Sequence, residues 1–260
     1  MRDLHDMLGI AEEAVDEAEA MFVAGLGADP AELKRAGDFA TEVDLEIEAT
    51  IRSVLTRRTA IPVLGEEEGG SYHSDAVWVV DPIDGTANYA AGNPLCAILV
   101  SLVIDGRPVV AVSAMPLLNR RLTTVDGESV LVNGRSLDGL ADRDELVTQV
   151  GLSSIASSTR DYPTSLRQEL LARVARTRLR PRITGAVGVD LALTAQGVSD
   201  GTVSFSPHLW DNAAGVAHVR AAGGVVTDLD GAEWTPDSRG VIAGTPGAHA
   251  TLFGILQDLR

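Results

Sequence analysis

Two aspartates, Asp81 and Asp84, stand three residues apart in "WVVDPIDGTANY", directly after an apolar run and directly before Gly85-Thr86. Carboxylates at that spacing repel each other, and Pro82 between them lacks the backbone N–H that could bond to one of them. Taken alone, the pair reads as an Asx-type turn at a strand end. Three further acidic spots change that reading. "GEEEGG", Gly65 to Gly70, follows another short apolar run and by itself reads as a solvated loop. Asp44 falls early in a helix behind Thr41, where it suits the positive end of the helix dipole. Asp211 in "LWDNAAG" directly follows a tryptophan and occupies the position of a helix N-cap.

Together these acids are hard oxygen ligands at the ends of elements, with almost no His or Cys among them. Such a set suits Mg²⁺, Mn²⁺ or Ca²⁺ and not zinc. A divalent cation between them lets neighbouring carboxylates stay ionised. "GTAN" adds an anion site: Gly85 lets the backbone approach closely, and Thr86 begins a helical turn whose N–H groups point outward, suited to a phosphate. A metal cluster beside a phosphate cradle is the apparatus of metal-assisted phosphoester hydrolysis.

The elements that must position these residues follow from periodicity. Leu4, Leu8, Ala11, Val15, Ala18 and Phe22 make a helical stripe with acids opposite, ended by "GLGADP". A second helix is expected from about Thr41 to Arg57, with Val43, Ile47, Ile51, Val54 and Leu55 inward. Short apolar runs bounded by turn residues then read as strands: "IPVLG", "AVWVVD", "LCAILVSLVIDG", "PVVAVSAMP" and "RRLTTVDG". Hairpins are expected around Asp105-Gly106 and Asn133-Gly134. Beyond them, "YPTSLRQELLARVARTRL", "GVDLALTAQG" and "LWDNAAGVAHVRAAGG" read as helices, while "RPRITG", "GTVSFS" and "GVVTDLDG" read as strands. The chain is therefore expected to be α+β or layered α/β. It has an N-terminal half over residues 1–140 and a C-terminal half over 141–260, both contributing to one site. The soft boundary falls in "SLDGLADRDEL".

Composition narrows the partners. The 260 residues carry 21 basic and 37 acidic side chains, a net charge of −16, which argues against a nucleic acid or an anionic membrane surface. An anionic substrate would also be repelled unless metal ions or local arginines reverse the sign at the site. The arginines crowding Arg160 to Arg182 could offset the acidic field, although a solvated helix face explains them as well. Cys96, the single cysteine, is expected to be buried and inert within "LCAILVSLV". The acid-rich N-terminus has no apolar core of signal length and no stretch approaches ~18 uncharged apolar residues, so a cytoplasmic protein is expected.

"GEE" at 65–67, "DPIDGT" at 81–86 and "WDNAAG" at 210–215 resemble the signature segments of the inositol monophosphatase family, as do "DFATEVDLEIE" at 38–48 and "GAVGVDLAL" at 185–193. Each motif is weak alone; the ordered set spans nearly the whole chain. The resemblance implies a five-layer αβαβα sandwich of the inositol monophosphatase and fructose-bisphosphatase type. It also implies a homodimer and lithium-sensitive hydrolysis of a small phosphorylated metabolite with two or three Mg²⁺ ions, or Mn²⁺. By that resemblance Glu66, Asp81 and the Ile83 carbonyl bind a first metal, and Asp81, Asp84 and Asp211 a second. Glu66 and Thr86 position the attacking water, with Asp44 behind Thr86 and Thr41 in support. Asp84, Gly85, Thr86, Val187, Ser204 and Asp211 face the substrate, with the Gly85 and Thr86 amides on the phosphate.

Two departures are visible. Ser204 replaces a glutamate that in inositol-using members grips sugar hydroxyls, and Ala87 replaces a common Thr or Lys. Recognition is therefore expected to be relaxed around intact catalytic parts. The leading expectation is a Mg²⁺-dependent phosphatase of myo-inositol 1-phosphate or a similar polyol phosphate. Histidinol phosphate is the nearest competing substrate, with fructose bisphosphate or a 3′-phosphoadenosine phosphate behind it. A regulatory binding protein on the same fold is the reading from another class.

Overall fold

The computed structural model describes residues 3–30, 32–35, 38–73, 75–142, 148–157 and 159–260. In chain order the first half contains α1 (Leu4–Ala24), the strand pair β1 (Glu32–Arg35) and β2 (Asp38–Ala40), α2 (Glu42–Thr59), β3 (Val63–Gly65), β4 (Ala76–Asp84) and α3 (Thr86–Ala90). It continues through β5 (Ala97–Ile104), β6 (Arg107–Met115), β7 (Arg120–Val125), β8 (Leu131–Val132) and β9 (Arg135–Ser136). The second half contains β10 (Gln149–Leu152), α4 (Thr164–Val174), β11 (Arg180–Arg182), α5 (Val187–Ala195) and β12 (Gly201–Ser204). It closes with α6 (Leu209–Ala221), β13 (Val225–Thr227), β14 (Val241–Gly244) and α7 (Pro246–Gln257). The expected boundary segment lies partly outside the described residues, at 143–146.

Five layers result. The large sheet has the order β3-β4-β5-β6-β7-β8-β9 and the smaller one β11-β10-β12-β14-β13. On one face of the large sheet, Trp78, Val80, Ile98, Val100, Leu102, Val110 and Val112 pack against Ile10, Ala14 and Phe22 of α1 and Ile47, Ile51 and Val54 of α2. On the other, Val77, Val79, Leu99 and Ala111 meet Val189 and Ala192 of α5 and Ala213 and Val216 of α6. Beyond the small sheet, Val150, Val203 and Ile242 are covered by Leu170 and Val174 of α4 and Leu252 and Leu256 of α7. Because the large sheet is buried on both faces, its strands read as nearly unbroken apolar runs rather than alternating ones.

Local signals fix the elements. Thr41 caps α2 in a reciprocal capping box with Asp44. The Asp105-Gly106 and Asn133-Gly134 turns both have positive φ at each central residue, which matches the twist of the flanking strands. The inward stripe of α1 runs Met7, Ile10, Ala11, Ala14, Val15, Ala18 and Phe22, so Leu4 and Leu8 sit at its margin, and Val43 of α2 is likewise partly buried. Among the described residues, no helix is long and apolar enough to cross a membrane.

Candidate active site

Asp81 and Asp84 reach the same side of the large sheet through an irregularity. In a regular strand, residues three apart point to opposite faces. Here Asp81 pairs with Leu99 and Asp84 with Ala97, so three steps on β4 oppose two on β5. The irregularity spans Pro82 and Ile83, and Pro82 has no N–H to give the ladder. Within it, Ile83 turns to the α1/α2 side, and past it Asp84 joins Asp81 on the side of α5 and α6.

Asp84 then binds the second half of the chain. Its Oδ1 accepts the Val187 N–H at 2.9 Å and its Oδ2 the Val189 N–H at 2.8 Å, so it caps the N-terminus of α5 across the whole intervening sequence. Gly85 follows at φ 83°, where an added Cβ would lie 2.9 Å from Ala186 Cβ and 3.0 Å from the Leu95 carbonyl oxygen. Only glycine suits both that conformation and that approach.

Thr86 opens α3, and its hydroxyl lies 3.1 Å from the Ile83 carbonyl and 3.4 Å from Asp44 Oδ1. Asp44 is fully buried, with Oδ2 accepting both the Thr41 hydroxyl at 2.5 Å and the Thr41 N–H at 2.8 Å. The capping box of α2 thus fixes the carboxylate behind Thr86. Glu66 comes from the turn after β3, its N–H bonded to the Val80 carbonyl at 3.2 Å.

These residues converge on a cavity of about 170 Å³. Glu66, Asp81, Ile83, Asp84, Gly85, Thr86, Val187 and Asp211 line it, together with Ala87 and Gly185. Gly185 opens the "GAVGVDLAL" segment but was not singled out as a site residue; it adopts φ 83° ahead of α5. Asp211 is not an N-cap: α6 begins two residues earlier behind His208, which leaves Asp211 in the first turn with its side chain at the cavity.

Ser204 lies apart from these residues. It is fully buried in β12, does not line the cavity, and its hydroxyl accepts the Ser206 N–H at 3.1 Å. The hydroxyl thereby fixes the start of the loop that follows β12. The arginine stretch also divides. Arg167 is buried over the Phe205 ring at 4.6 Å and donates to the Tyr162, Ser154 and Ala156 carbonyls, while Arg173 pairs with Glu169 on the surface of α4. Cys96 is buried as expected, and desolvation pushes its thiol up to about 12.

The electrostatics fit a cation. Burial raises the Asp81 carboxyl well above the usual range, and the charges of Glu66, Asp84, Asp211 and Asp44 add to it. Burial likewise pushes Asp84 up to about 7, against the lowering effect of the α5 amides. Among the described residues, the buried Asp81 Oδ1 meets no hydrogen-bond partner. A buried, repelled carboxylate with an orphaned oxygen is unfavourable unless it takes up a proton or a cation sits between these groups. The all-oxygen donor set has the chemistry of Mg²⁺ or Mn²⁺.

The chain is similar along its length to known proteins. The family model described as "Inositol monophosphatase family" matches residues 3–259. The probable inositol 1-monophosphatase ImpA of Mycobacterium tuberculosis is 46% identical over 251 residues, covering 96% of this chain and 93% of that protein. The Nus factor SuhB of Escherichia coli is 30% identical, covering 98% and 97%. Among solved structures, the extragenic suppressor protein SuhB of Bartonella henselae superposes with a TM-score of 0.86 at 27% identity, over 96% of this chain and 97% of that one. The shared fold, the match across nearly every residue and the convergent acids around one cavity carry the same conclusion: the chain belongs to the inositol monophosphatase family and is a phosphoric monoester hydrolase.

Proposed function

We propose that the protein hydrolyses myo-inositol 1-phosphate or a similar small polyol phosphate in a Mg²⁺-dependent reaction. The observation that carries this reading is the buried, partnerless Asp81 Oδ1, held among the acids of one cavity that also contains Gly85 and Thr86. Glu66, Asp81 and the Ile83 carbonyl would hold one ion, and Asp81, Asp84 and Asp211 another. When bound, the ions supply Lewis-acid stabilisation of the charge that develops on the phosphoryl group.

The chain's own groups do the positioning. Glu66 and Thr86 orient the attacking water, and Asp44 holds the Thr86 hydroxyl in place through the contact at 3.4 Å. The Gly85 and Thr86 amides receive phosphate oxygens. Val187 closes the cavity beside them with its own N–H committed to Asp84. The cavity wall offers Ala87, Gly185 and Val187, which are small or apolar. Tolerance of different alcohol groups follows from that wall rather than from a missing glutamate alone.

A phosphate-release screen over sugar, polyol, amino-alcohol and nucleotide monophosphates tests the reading. Inositol 1-phosphate and glycerol 2-phosphate should both turn over, EDTA should abolish release and Mg²⁺ should restore it. Activity that survives complete chelation, or no activity on any monoester, would sink the assignment.

A further inference from the structure

The turn that delivers Glu66 carries three consecutive glutamates, whose mutual repulsion should splay it. What opposes that is a polar stripe on α2. Asp44, Glu48 and Arg52 recur every four residues and so share one helix face. Asp44 serves Thr86, and the next two residues serve the turn.

Glu48 is fully buried, and its carboxylate accepts the Glu67 N–H at 2.7 Å and the Glu68 N–H at 2.9 Å. Arg52 donates to Glu48 at 2.8 Å, to the Val63 carbonyl at 2.8 Å and to the Gly69 carbonyl at 3.0 Å, and forms an ion pair with Glu68 at 3.0 Å. The pair therefore holds the turn at its entry, its centre and its exit. Gly65 admits the carboxylate: an added Cβ there would lie 2.0 Å from Glu48 Oε1. A buried ion pair is a poor device for stability alone, since an apolar pair of similar volume does as well. A carboxylate facing two successive amides, by contrast, fixes the orientation of the peptide it grips.

We propose that Glu48 and Arg52 are positioning residues that hold the 65–69 turn so that Glu66 meets the cavity in a metal-binding geometry. The inference rests on the reading of Glu66 as a metal ligand and adds residues that do not touch the cavity.

Hydrogen exchange and Mg²⁺ titration on the Glu48→Gln and Gly65→Ala variants test it. Glutamine presents an N–H₂ where the carboxylate accepted an N–H, and the alanine methyl displaces the carboxylate with every charge retained. In the metal-free protein, each variant should speed exchange of the Glu67 and Glu68 amides by roughly tenfold or more, while amides at the far end of α2 keep their protection. Calorimetric titration should show Mg²⁺ binding weakened by roughly 10- to 100-fold, because groups that orient a ligand carry about that much of the affinity. Half-saturating Mg²⁺ for turnover should rise in parallel, with KM for the phosphate ester at saturating Mg²⁺ unchanged. The double variant should be no worse than the weaker single, since both break one contact.

Wild-type protection of the two amides, or wild-type Mg²⁺ affinity in a folded variant, would overturn the proposal. Gly65→Ala decides the matter if Glu48→Gln does not fold. If the wild-type protein hydrolyses no phosphate ester, the phosphatase reading fails, and the exchange and titration results still judge the clamp.

Discussion

Asp84 has two tasks for one carboxylate: it caps α5 through two amides, and it faces the cavity beside Asp81. Burial pushes its folded-state value up to about 7, against roughly 3.9 for an unfolded aspartate. A raised value means that its contribution to stability is fully present below about pH 4 and is lost as pH rises through about 7. Metal-free protein should therefore lose stability across that window, and Mg²⁺, which needs the ionised form, should restore it there. The expected outcome is a larger Mg²⁺-induced rise in melting temperature at pH 8 than at pH 5, read by differential scanning calorimetry. Equal rises would show that the ion does not engage this carboxylate. Asp84→Asn should lower turnover at least ~10²-fold, because removing a ligand charge weakens the metal site that would stabilise the leaving oxygen. Thr86→Ala should fold normally and turn over ~10²-fold slower, as its hydroxyl only orients; wild-type kinetics would reduce Thr86 to a structural residue of α3. These acids were legible in the sequence because each sits in a short motif next to glycine or at an element end. The burial of Ser204 was not, because it depends on side-chain length within a strand that other layers cover.

Between elements, the decisive contact is the crossing of α5 and α6. Gly215 lies one turn after Asp211, and a Cβ there would come 2.3 Å from Leu191 Cβ. Leu191 in turn lies one turn after Val187, whose N–H holds Asp84. The closeness of this crossing therefore sets how near the C-terminal acid comes to the β4 acids. Gly215→Ala should destabilise the fold by about 1–3 kcal/mol through overpacking and should also weaken Mg²⁺ binding by moving Asp211. A stability loss in urea with unchanged Mg²⁺ affinity would separate the two effects and refute the second. Next along α6, His218 joins the helix to the large sheet, with Nδ1 2.7 Å from the Thr124 hydroxyl and Nε2 3.0 Å from the Ser113 hydroxyl. Complete burial depresses it to about 3. A depressed value gives stability that is present above about pH 6.5 and lost as pH falls toward 3, so His218→Gln should flatten that acid limb of the melting curve. Periodicity and turn dipeptides made most of these helices and strands readable. The β4 bulge was not readable, because Pro82 reports a missing donor and not the direction in which the strand resumes. Nor could any local pattern show that an α5 amide would meet Asp84, more than a hundred residues away.

For the molecule as a whole, the net charge of −16 governs approach rather than chemistry. Similarity to a Nus factor raises a regulatory reading, yet a polyanionic nucleic acid would meet this field at every phosphate, so direct RNA binding at physiological salt is not expected. A phosphate monoester meets the same repulsion on a smaller scale. Bound cations would reverse the sign inside the cavity, but acids spread over both halves still act on a dianion at long range. Salt shortens that range, from about 30 Å at 0.01 M ionic strength to about 8 Å at 0.15 M. With Mg²⁺ held saturating and sodium chloride raised between those limits, kcat/KM for a monoester dianion should rise by roughly two- to tenfold, because screening lifts local substrate concentration. An uncharged change of the alcohol group should leave the slope unaltered, since only the phosphate feels the field. A rate that falls with salt would mean that a local positive surface steers the substrate, and the exposed arginine side chains near Arg182 would then be the first to replace.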